Sequence, residues 1–398
     1  MHVLDTLVAR GFVQQSTGLD ALRAHLDAGP VTFYVGFDPT ARSLHAGHLV
    51  PIQAMGWLQR AGHRAIAVVG GGTGMVGDPS GRTELRQVLS KEDIDANKAA
   101  LRTQLSSFLS FEPGKGLMVD NADWLLGLGY IEFLRDIGRH FSVNRMLAAE
   151  SYKIRLEKGL SFIEFNYQLL QAYDFLELFR RHGCTLQLGG DDQWGNILAG
   201  TELIRRVEAK DSHALTQPLI MTSAGAKMGK TAAGAVWLDA ELKKPFDWYQ
   251  YWVSCDDRDV GRFLKLYTEV PLDEIAALES LPGEQINRAK ERLAWETTAK
   301  VHGVDAANQA QAGAQAMKAG AATDDLPTLV VEGGNRYADV LVAAGFATSL
   351  SDARRHVKGG AVRLDHDKIA DADAPVAVPA GGAVLRLGKG KAVRLLPG

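Results

Sequence analysis

Two short, largely apolar runs, Val31 to Val35 and Ala65 to Val69, each end in a glycine-containing polar loop, and a helical stretch separates them. This order constrains the fold more than any other feature. Two buried strands joined through a helix pair in parallel, because a parallel pair needs a long crossover where an antiparallel pair needs only a turn. Leu117 to Val119 and Thr185 to Leu188 read as further short strands, again separated by helical stretches. The expectation is an α/β protein with a parallel sheet and helices on both faces. Such sheets bind ligands beyond the C-terminal ends of their strands, where the unusual loops of this chain fall.

Around that unit, residues 1–30 read as helical, with Leu19, Leu22 and Leu26 at helical spacing and Gly29-Pro30 as the stop. Leu49 to Gly62 reads as a helix that tolerates Pro51 in its first turn. From Pro245 to Ala319 the pattern is helical, and Thr323 to Pro327 reads as a linker. The domain reading is 1–240 for nucleotide binding and catalysis, 241–322 for a helical domain, and 333–398 for a small α+β domain. Residues 333–398 hold ten Lys/Arg and six Asp/Glu, whereas the whole chain carries a net −3. A basic module on an acidic body is a nucleic-acid footprint, and an excess of four is also compatible with a merely solvated surface.

A net charge of −3 excludes a globally basic nucleic-acid binder, and 46% hydrophobic residues place the chain far from the disordered regime. Two cysteines, Cys184 and Cys255, give no disulfide framework or cysteine zinc site. No run approaches the ~20 apolar residues of a membrane span. The N-terminus lacks a basic region followed by an apolar core, so a cytoplasmic location is expected.

Four constellations carry chemistry. Tyr34-Val35-Gly36-Phe37-Asp38-Pro39-Thr40 leads to His45-Ala46-Gly47-His48 between a strand and a helix. Thr40, His45 and His48 lie beside a helix N-terminus, which favours an anion. His-x-x-His is also a metal pair, but no third ligand is near in sequence. Gly72, Gly74 and Gly77 fit GxGxxG after a strand. Asp78-Pro79-Ser80-Gly81 follows at once and favours a turn over the helix that a dinucleotide site requires. Arg82 and Arg86 come next and suit phosphate. Third, Tyr167, Gln171 and Asp174 share one face of a helix over Phe165–Phe179, opposite an apolar face. A stripe without Lys, Glu or Arg suits a pocket for a small zwitterion or hydroxyl, and Asp192 and Gln193 follow a later strand, also in plain-turn context. Fourth, Lys227-Met228-Gly229-Lys230-Thr231 brings two lysines to a glycine-containing loop that can clamp a polyphosphate.

Together these residues resemble the bacterial tyrosyl-tRNA synthetases, which are class I aminoacyl-tRNA synthetases. His45-Ala46-Gly47-His48 is similar to the class I HIGH signature, and Lys227-Met228-Gly229-Lys230-Thr231 to KMSKS with Gly and Thr for its serines. Arg336 to Asp339 and Lys358 to Val362 are similar to an S4 RNA-binding domain. The resemblance implies a Rossmann-like catalytic domain, activation of L-tyrosine with ATP, transfer to tRNA, and a homodimer. It implies that Tyr34 and Asp174 bind the phenol, that Asp78, Tyr167 and Gln171 hold the ammonium, and that Gln193 lies by the carboxylate. Gly36, Asp38, Gly47, His48 and Asp192 would surround the adenosine. Thr40 and His45 would stabilise the reacting phosphorus, with Lys227, Lys230, Thr231, Arg82 and Arg86 on the pyrophosphate side. Arg82 stands where many members carry lysine. Magnesium would escort the ATP without a protein cage. A tryptophanyl enzyme shares the fold, but indole lacks the phenolic acceptor that Tyr34 and Asp174 would meet. A catalytically dead RNA-binding paralogue is opposed by intact Thr40, His45, His48, Lys227 and Lys230.

Overall fold

The computed structural model describes residues 2–80, 90–148, 150–157, 159–223, 225, 228–231, 234–318, 326, 328–365, 367–388 and 391–398; at Lys91, Glu150, Ser151, Ile154, Lys230, Thr231, Lys318 and Lys391 it describes the backbone alone. The chain forms two compact units, 1–242 with 258–280, and 243–257 with 281–398.

The first unit is built on a six-stranded sheet. Its strands are β1 (Gln15–Ser16), β2 (Thr32–Phe37), β3 (Arg64–Val69), β4 (Gly116–Asp120), β5 (Cys184–Gly190) and β6 (His213–Gln217), in the order β1-β6-β5-β2-β3-β4. β6, β5, β2, β3 and β4 are parallel, and β1 closes one edge antiparallel to β6. The order reverses between β2 and β5, which makes the crevice at their C-terminal ends the binding position of this Rossmann-like architecture.

Residues 1–30 form two helices, α1 (Val3–Arg10) and α2 (Leu19–Asp27), with β1 between them. The break comes from Gly11, whose φ of 83° is the left-handed cap that ends α1. The crossover from β2 to β3 is α3 (Leu49–Arg60). Next come α4 (Lys91–Ser106), α5 (Ala122–Leu125), α6 (Tyr130–Asp136), α7 (Val143–Leu147) and α8 (Glu150–Leu156). The long α9 (Phe162–His182) starts at a Ser161–Glu164 capping box and ends at Gly183, and α10 is Trp194–Glu208. The apolar side of α9, with Ala172, Phe175, Leu176 and Leu178, packs with Tyr34, Ile66, Val68 and Cys184 of the sheet. A small hairpin, β7 (Lys230–Thr231) and β8 (Gly234–Ala235), follows.

In the second unit, α11 (Pro245–Val253) packs with two later helices. The chain first contributes α12 (Val260–Tyr267) and α13 (Leu272–Glu279) to the first unit, then forms α14 (Asn287–His302) and α15 (Val304–Lys318). The C-terminal part is a five-stranded sheet of β9 (Thr328–Val331), β10 (Val362–Leu364), β11 (Asp367–Lys368), β12 (Ala383–Leu387) and β13 (Lys391–Pro397), ordered β11-β10-β12-β13-β9. Helices α16 (Tyr337–Ala343) and α17 (Leu350–Lys358) share a core with it through Leu341, Val357, Val362 and Leu385. Of the linker expected at 323–327, only Leu326 is a described residue; it is buried against Met317 and Val384.

Arg10 closes the end of α12. Its buried guanidinium donates to the carbonyls of Lys265, Thr268 and Val270 at 3.3, 3.0 and 2.7 Å and lies 4.6 Å from the centre of the Trp57 ring. Helix-end carbonyls have no intrahelical donor, so this side chain satisfies groups that would otherwise be buried unpaired. Arg10→Met is expected to destabilise the protein by about 2–3 kcal/mol, read from urea unfolding of the full chain. An unchanged midpoint would show that water serves these carbonyls equally well.

Candidate active site

A cavity of about 590 Å³ opens at the C-terminal ends of β2, β3, β5 and β6. Tyr34, Gly36, Asp38, Thr40, His45, Gly47, His48, Asp78, Tyr167, Gln171, Asp174, Asp192 and Gln193 all line it. Arg82, Arg86 and Lys227 lie outside the described residues, and Lys230 and Thr231 are described only as backbone of the β7–β8 hairpin.

The loop after β2 is held from three sides. Asn97 of α4 donates to Pro39 O at 3.0 Å, and Gln104 Oε1 of the same helix accepts from Leu44 N at 2.8 Å. On the far side, Ala46 N donates to Val236 O and Leu238 N to Leu44 O. The turn itself is a capping box: Gly47 N donates to His45 Nδ1 and His45 N to His48 Nδ1, both at 3.1 Å. Each imidazole that accepts at Nδ1 while neutral carries its proton on Nε2. The His45 and His48 rings lie with centres 4.0 Å apart at a 39° tilt, and in the neutral form each carries its proton on Nε2, the arrangement that suits an anionic oxygen. Glycine is required where this turn meets the Met228–Gly229 segment. A Cβ on Gly229, whose φ is 84°, would sit 2.7 Å from Gly47 N, and one on Gly47 would sit 2.9 Å from the His45 ring.

The GxGxxG stretch opens no helix. It makes a single 3-10 turn, Thr73–Met75, and residues 76–80 are non-helical. Its amides are satisfied by protein. Asn121 Oδ1 accepts from Gly72 N at 2.7 Å, and Asp120 Oδ1 accepts from Gly71 N at 3.2 Å. Side chains of the protein therefore occupy amides that a dinucleotide pyrophosphate would need.

At the buried end, Asp174 accepts from Trp124 Nε1 at 2.7 Å and from Asn121 Nδ2 at 2.9 Å. Burial still pushes its carboxyl up to about 7, against the pull of those two bonds and with Asp38 and Asp120 adding to the rise. Tyr34 shares this end, its ring 5.3 Å from that of Phe175. Its hydroxyl is buried and has no hydrogen-bond partner among the described residues, and burial next to Asp174 drives its pKa far up. Asp78 accepts from Ser80 N at 2.8 Å and from Gln193 Nε2 at 2.6 Å, and burial with the nearby Asp38 raises it to about 6. The result is a polar seat of carboxyls, amides and an unpaired phenol, separated from a turn of imidazole donors. Among the described residues no group of three His, Cys, Asp or Glu is placed to hold a metal.

The structure adds residues that the sequence reading passed over. Asn121 and Trp124 follow the end of β4, a position where a sheet of this kind puts binding groups. Gln187 and Gln217 also line the cavity; Gln187 Oε1 and Gln217 Nε2 are buried without hydrogen-bond partners among the described residues. A glutamine inside the apolar run Leu186-Gln187-Leu188 is the signal that marked the first of them.

Fold, switch-point cavity and the two-histidine turn define a class I aminoacyl-tRNA synthetase, and residues 26–318 match the family of class I tRNA synthetases for tryptophan and tyrosine. The chain is 51% identical to the tyrosine–tRNA ligase of Methylocella silvestris, over 98% of this chain and 97% of that protein. It is 59% identical to that of Syntrophus aciditrophicus over 77% and 71%. A solved C-terminally truncated mitochondrial tyrosyl-tRNA synthetase of Aspergillus nidulans superposes with a TM-score of 0.71 at 29% identity, covering 79% of this chain and 94% of that one. The chain belongs to the tyrosine–tRNA ligase family.

If Trp124 Nε1 stabilises the ionised carboxyl, Trp124→Phe will raise the Asp174 pKa above about 7. Infrared titration of the carboxyl band in the empty enzyme measures it, and an unmoved midpoint would show that the indole bond does not bear on this proton.

Proposed function

We propose that this tyrosine–tRNA ligase works by positioning and electrostatic stabilisation, with no side-chain nucleophile. The tyrosine carboxylate attacks the α-phosphorus of ATP, the bond from that phosphorus to the α,β-bridging oxygen breaks, and pyrophosphate leaves. A hydroxyl of the terminal ribose of tRNA then attacks the tyrosyl carbonyl, and AMP leaves. The observation that supports the reading is the buried pair of Asp174 and a Tyr34 hydroxyl that has no hydrogen-bond partner among the described residues, with His45 and His48 lining the same cavity on the loop after β2.

In this reading the phenol donates to Asp174 and meets the Tyr34 hydroxyl. The ammonium sits with Asp78, Tyr167 and Gln171, and the carboxylate lies near Gln193. Gly36, Asp38, Gly47, His48 and Asp192 take the adenosine. Thr40 and His45 stabilise charge that develops on the phosphoryl oxygens, where a preformed donor is worth most. Lys227, Lys230, Thr231, Arg82 and Arg86 neutralise the departing pyrophosphate. Magnesium comes with the ATP, whose phosphate oxygens supply its ligands.

Tyrosine-dependent exchange of pyrophosphate into ATP, with tryptophan as the control, tests the reaction. Thr40→Ala combined with His45→Gly is expected to slow exchange on the order of 10³-fold or more while the tyrosine Kd stays within about twofold, because contacts made only in the transition state leave ground-state binding alone. A matching loss of tyrosine binding would remove these two residues from that role.

The 333–398 module is the proposed tRNA-binding part. It exposes Lys358, Arg363 and Lys368, while Arg354 is paired with Asp373 and Arg355 with Asp352. The chain is proposed to act as a homodimer in the cytoplasm; among the described residues no helix is long and apolar enough to cross a membrane. The dimer reading is supported by Tyr130, Ile131, Phe162 and Ile163, which are 61%, 68%, 69% and 48% exposed on α6 and α9. We take these exposed apolar side chains as the proposed contact surface. Sedimentation equilibrium should give twice the 43.0 kDa chain mass, and Ile131→Asp with Phe162→Asp should give the monomer. A monomeric wild type would end the proposal.

A further inference from the structure

Asn196, in the first turn of α10, is 3% exposed and lies behind the cavity wall, whereas Ser80, Gln171 and Gln193 form that wall. Its Nδ2 is 3.1 Å from Gln171 Oε1, 3.2 Å from Ser80 Oγ and 3.3 Å from Gln193 Oε1. An amide nitrogen has two hydrogens, so three acceptors share two. The Ser80 hydroxyl can rotate and use its own proton elsewhere. The two glutamine oxygens have no such freedom and are the acceptors that depend on Asn196.

The orientation of these amides follows as a chain. Gln193 presents Nε2 to Asp78 Oδ2 at 2.6 Å; the flipped amide would set an oxygen against a carboxylate. With its nitrogen committed, Gln193 turns Oε1 towards Asn196, which must then offer hydrogens. The same Nδ2 takes Gln171 Oε1, so the Gln171 oxygen is also fixed on the side where Asp78 and Gln193 lie. Ser80, Asp78, Gln171 and Gln193 come from three separate segments, and Asn196 is the group that reaches all three.

We infer that Asn196 is the positioning residue of the amino-acid seat: it fixes both glutamine amides, so that Gln171 keeps its acceptor on the ammonium side of the seat and Gln193 keeps its donor on Asp78. The inference rests on the proposed tyrosine seat at Asp78, Gln171 and Gln193, and it adds a residue that touches no substrate atom. An orphaned buried amide costs about as much as a tenfold change in binding. Asn196→Ala should therefore raise the KM for tyrosine in pyrophosphate exchange about tenfold, with the KM for ATP within about twofold.

Two further readouts separate orientation from mere packing. Inhibition by p-cresol, which carries the phenol alone, should be unchanged in Asn196→Ala, because the phenol end is held by Asn121 and Trp124. Asn196→Asp keeps the shape and adds negative charge beside an ammonium. Simple attraction would tighten tyrosine binding. The orientation argument gives the opposite result at high pH, where an ionised aspartate accepts and both glutamines must flip. The penalty relative to wild type should shrink as pH falls and the new carboxyl regains a proton to donate.

Parallel weakening of tyrosine and p-cresol, or a tyrosine KM unchanged in Asn196→Ala, would overturn the inference. Tighter tyrosine binding by Asn196→Asp at high pH would do the same. Asp78→Asn is the control for the underlying reading: if it too leaves the tyrosine KM unchanged, the seat itself is misplaced, whereas a response to Asp78→Asn without one to Asn196→Ala removes Asn196 alone.

Discussion

Asn121 is the residue on which the site depends. It stands at the end of β4 and joins two pieces of chain that are otherwise unconnected by covalent neighbours. Its oxygen accepts from Gly72 N, and its nitrogen donates to Thr73 Oγ1 at 2.9 Å and to Asp174 Oδ2 at 2.9 Å. Only a carboxamide offers an acceptor and two donors in this geometry; aspartate at this position would set a second carboxylate against Asp174. The preceding residue reinforces the arrangement. Asp120 accepts from Gly71 N and Ala122 N and is held by Lys98 of α4 at 2.7 Å. The glycine turn is thus a rigid shelf, and glycine is needed there because a Cβ on Gly71 would lie 2.2 Å from Asp120 Oδ1.

That shelf explains how the proposed amino-acid seat can hold carboxyls in a buried place. Asp174 and Asp78 are raised to about 7 and about 6 chiefly by burial. Donors on each, Asn121 and Trp124 for Asp174 and Gln193 with the Ser80 amide and hydroxyl for Asp78, favour the ionised form and limit the rise. A carboxylate with donors but without a paired cation remains able to attract one. In the proposed reading the cation is the substrate ammonium at Asp78, while Asp174 takes the phenolic proton donor at the other end of the same molecule.

Much of this was legible in the sequence, and the reasons for the rest are physical. β2 and β3 were readable because they are buried runs ended by glycine loops, and the Tyr167–Gln171–Asp174 stripe because helical spacing puts those residues on one face. Pro79 weakened the dinucleotide fingerprint in the sequence, and the single 3-10 turn at Thr73–Met75 then replaced the helix it requires. β6 was missed because His213, Thr216 and Gln217 interrupt its apolar pattern, and they do so because Gln217 faces the cavity. β1 has two residues and no periodicity to detect. The 1–30 stretch read as helical from Leu19, Leu22 and Leu26, all of which lie beyond Gly11, whose left-handed cap only backbone geometry reveals. Trp124, Asn121 and Asn196 act through tertiary hydrogen bonds between segments 25 to 116 residues apart, and no local pattern encodes those.

The charges around the cavity divide the labour between its ends. Asp38, Asp78, Asp174 and Asp192 all line it, a field that suits an ammonium and opposes a triphosphate. Nucleotide phosphates therefore need a place where donors outnumber acceptors. In the proposed reading the His45–His48 turn is that place, with a backbone amide on each Nδ1. The turn is locked by the segment that leads into the Lys230 hairpin, through Gly229 against Gly47 and Ala46 N on Val236 O. The two signature segments are therefore one structural unit. Lys230 follows Gly229 directly, so in the proposed mechanism the positive charge that receives pyrophosphate and the turn that carries His45 belong to one run of packed backbone.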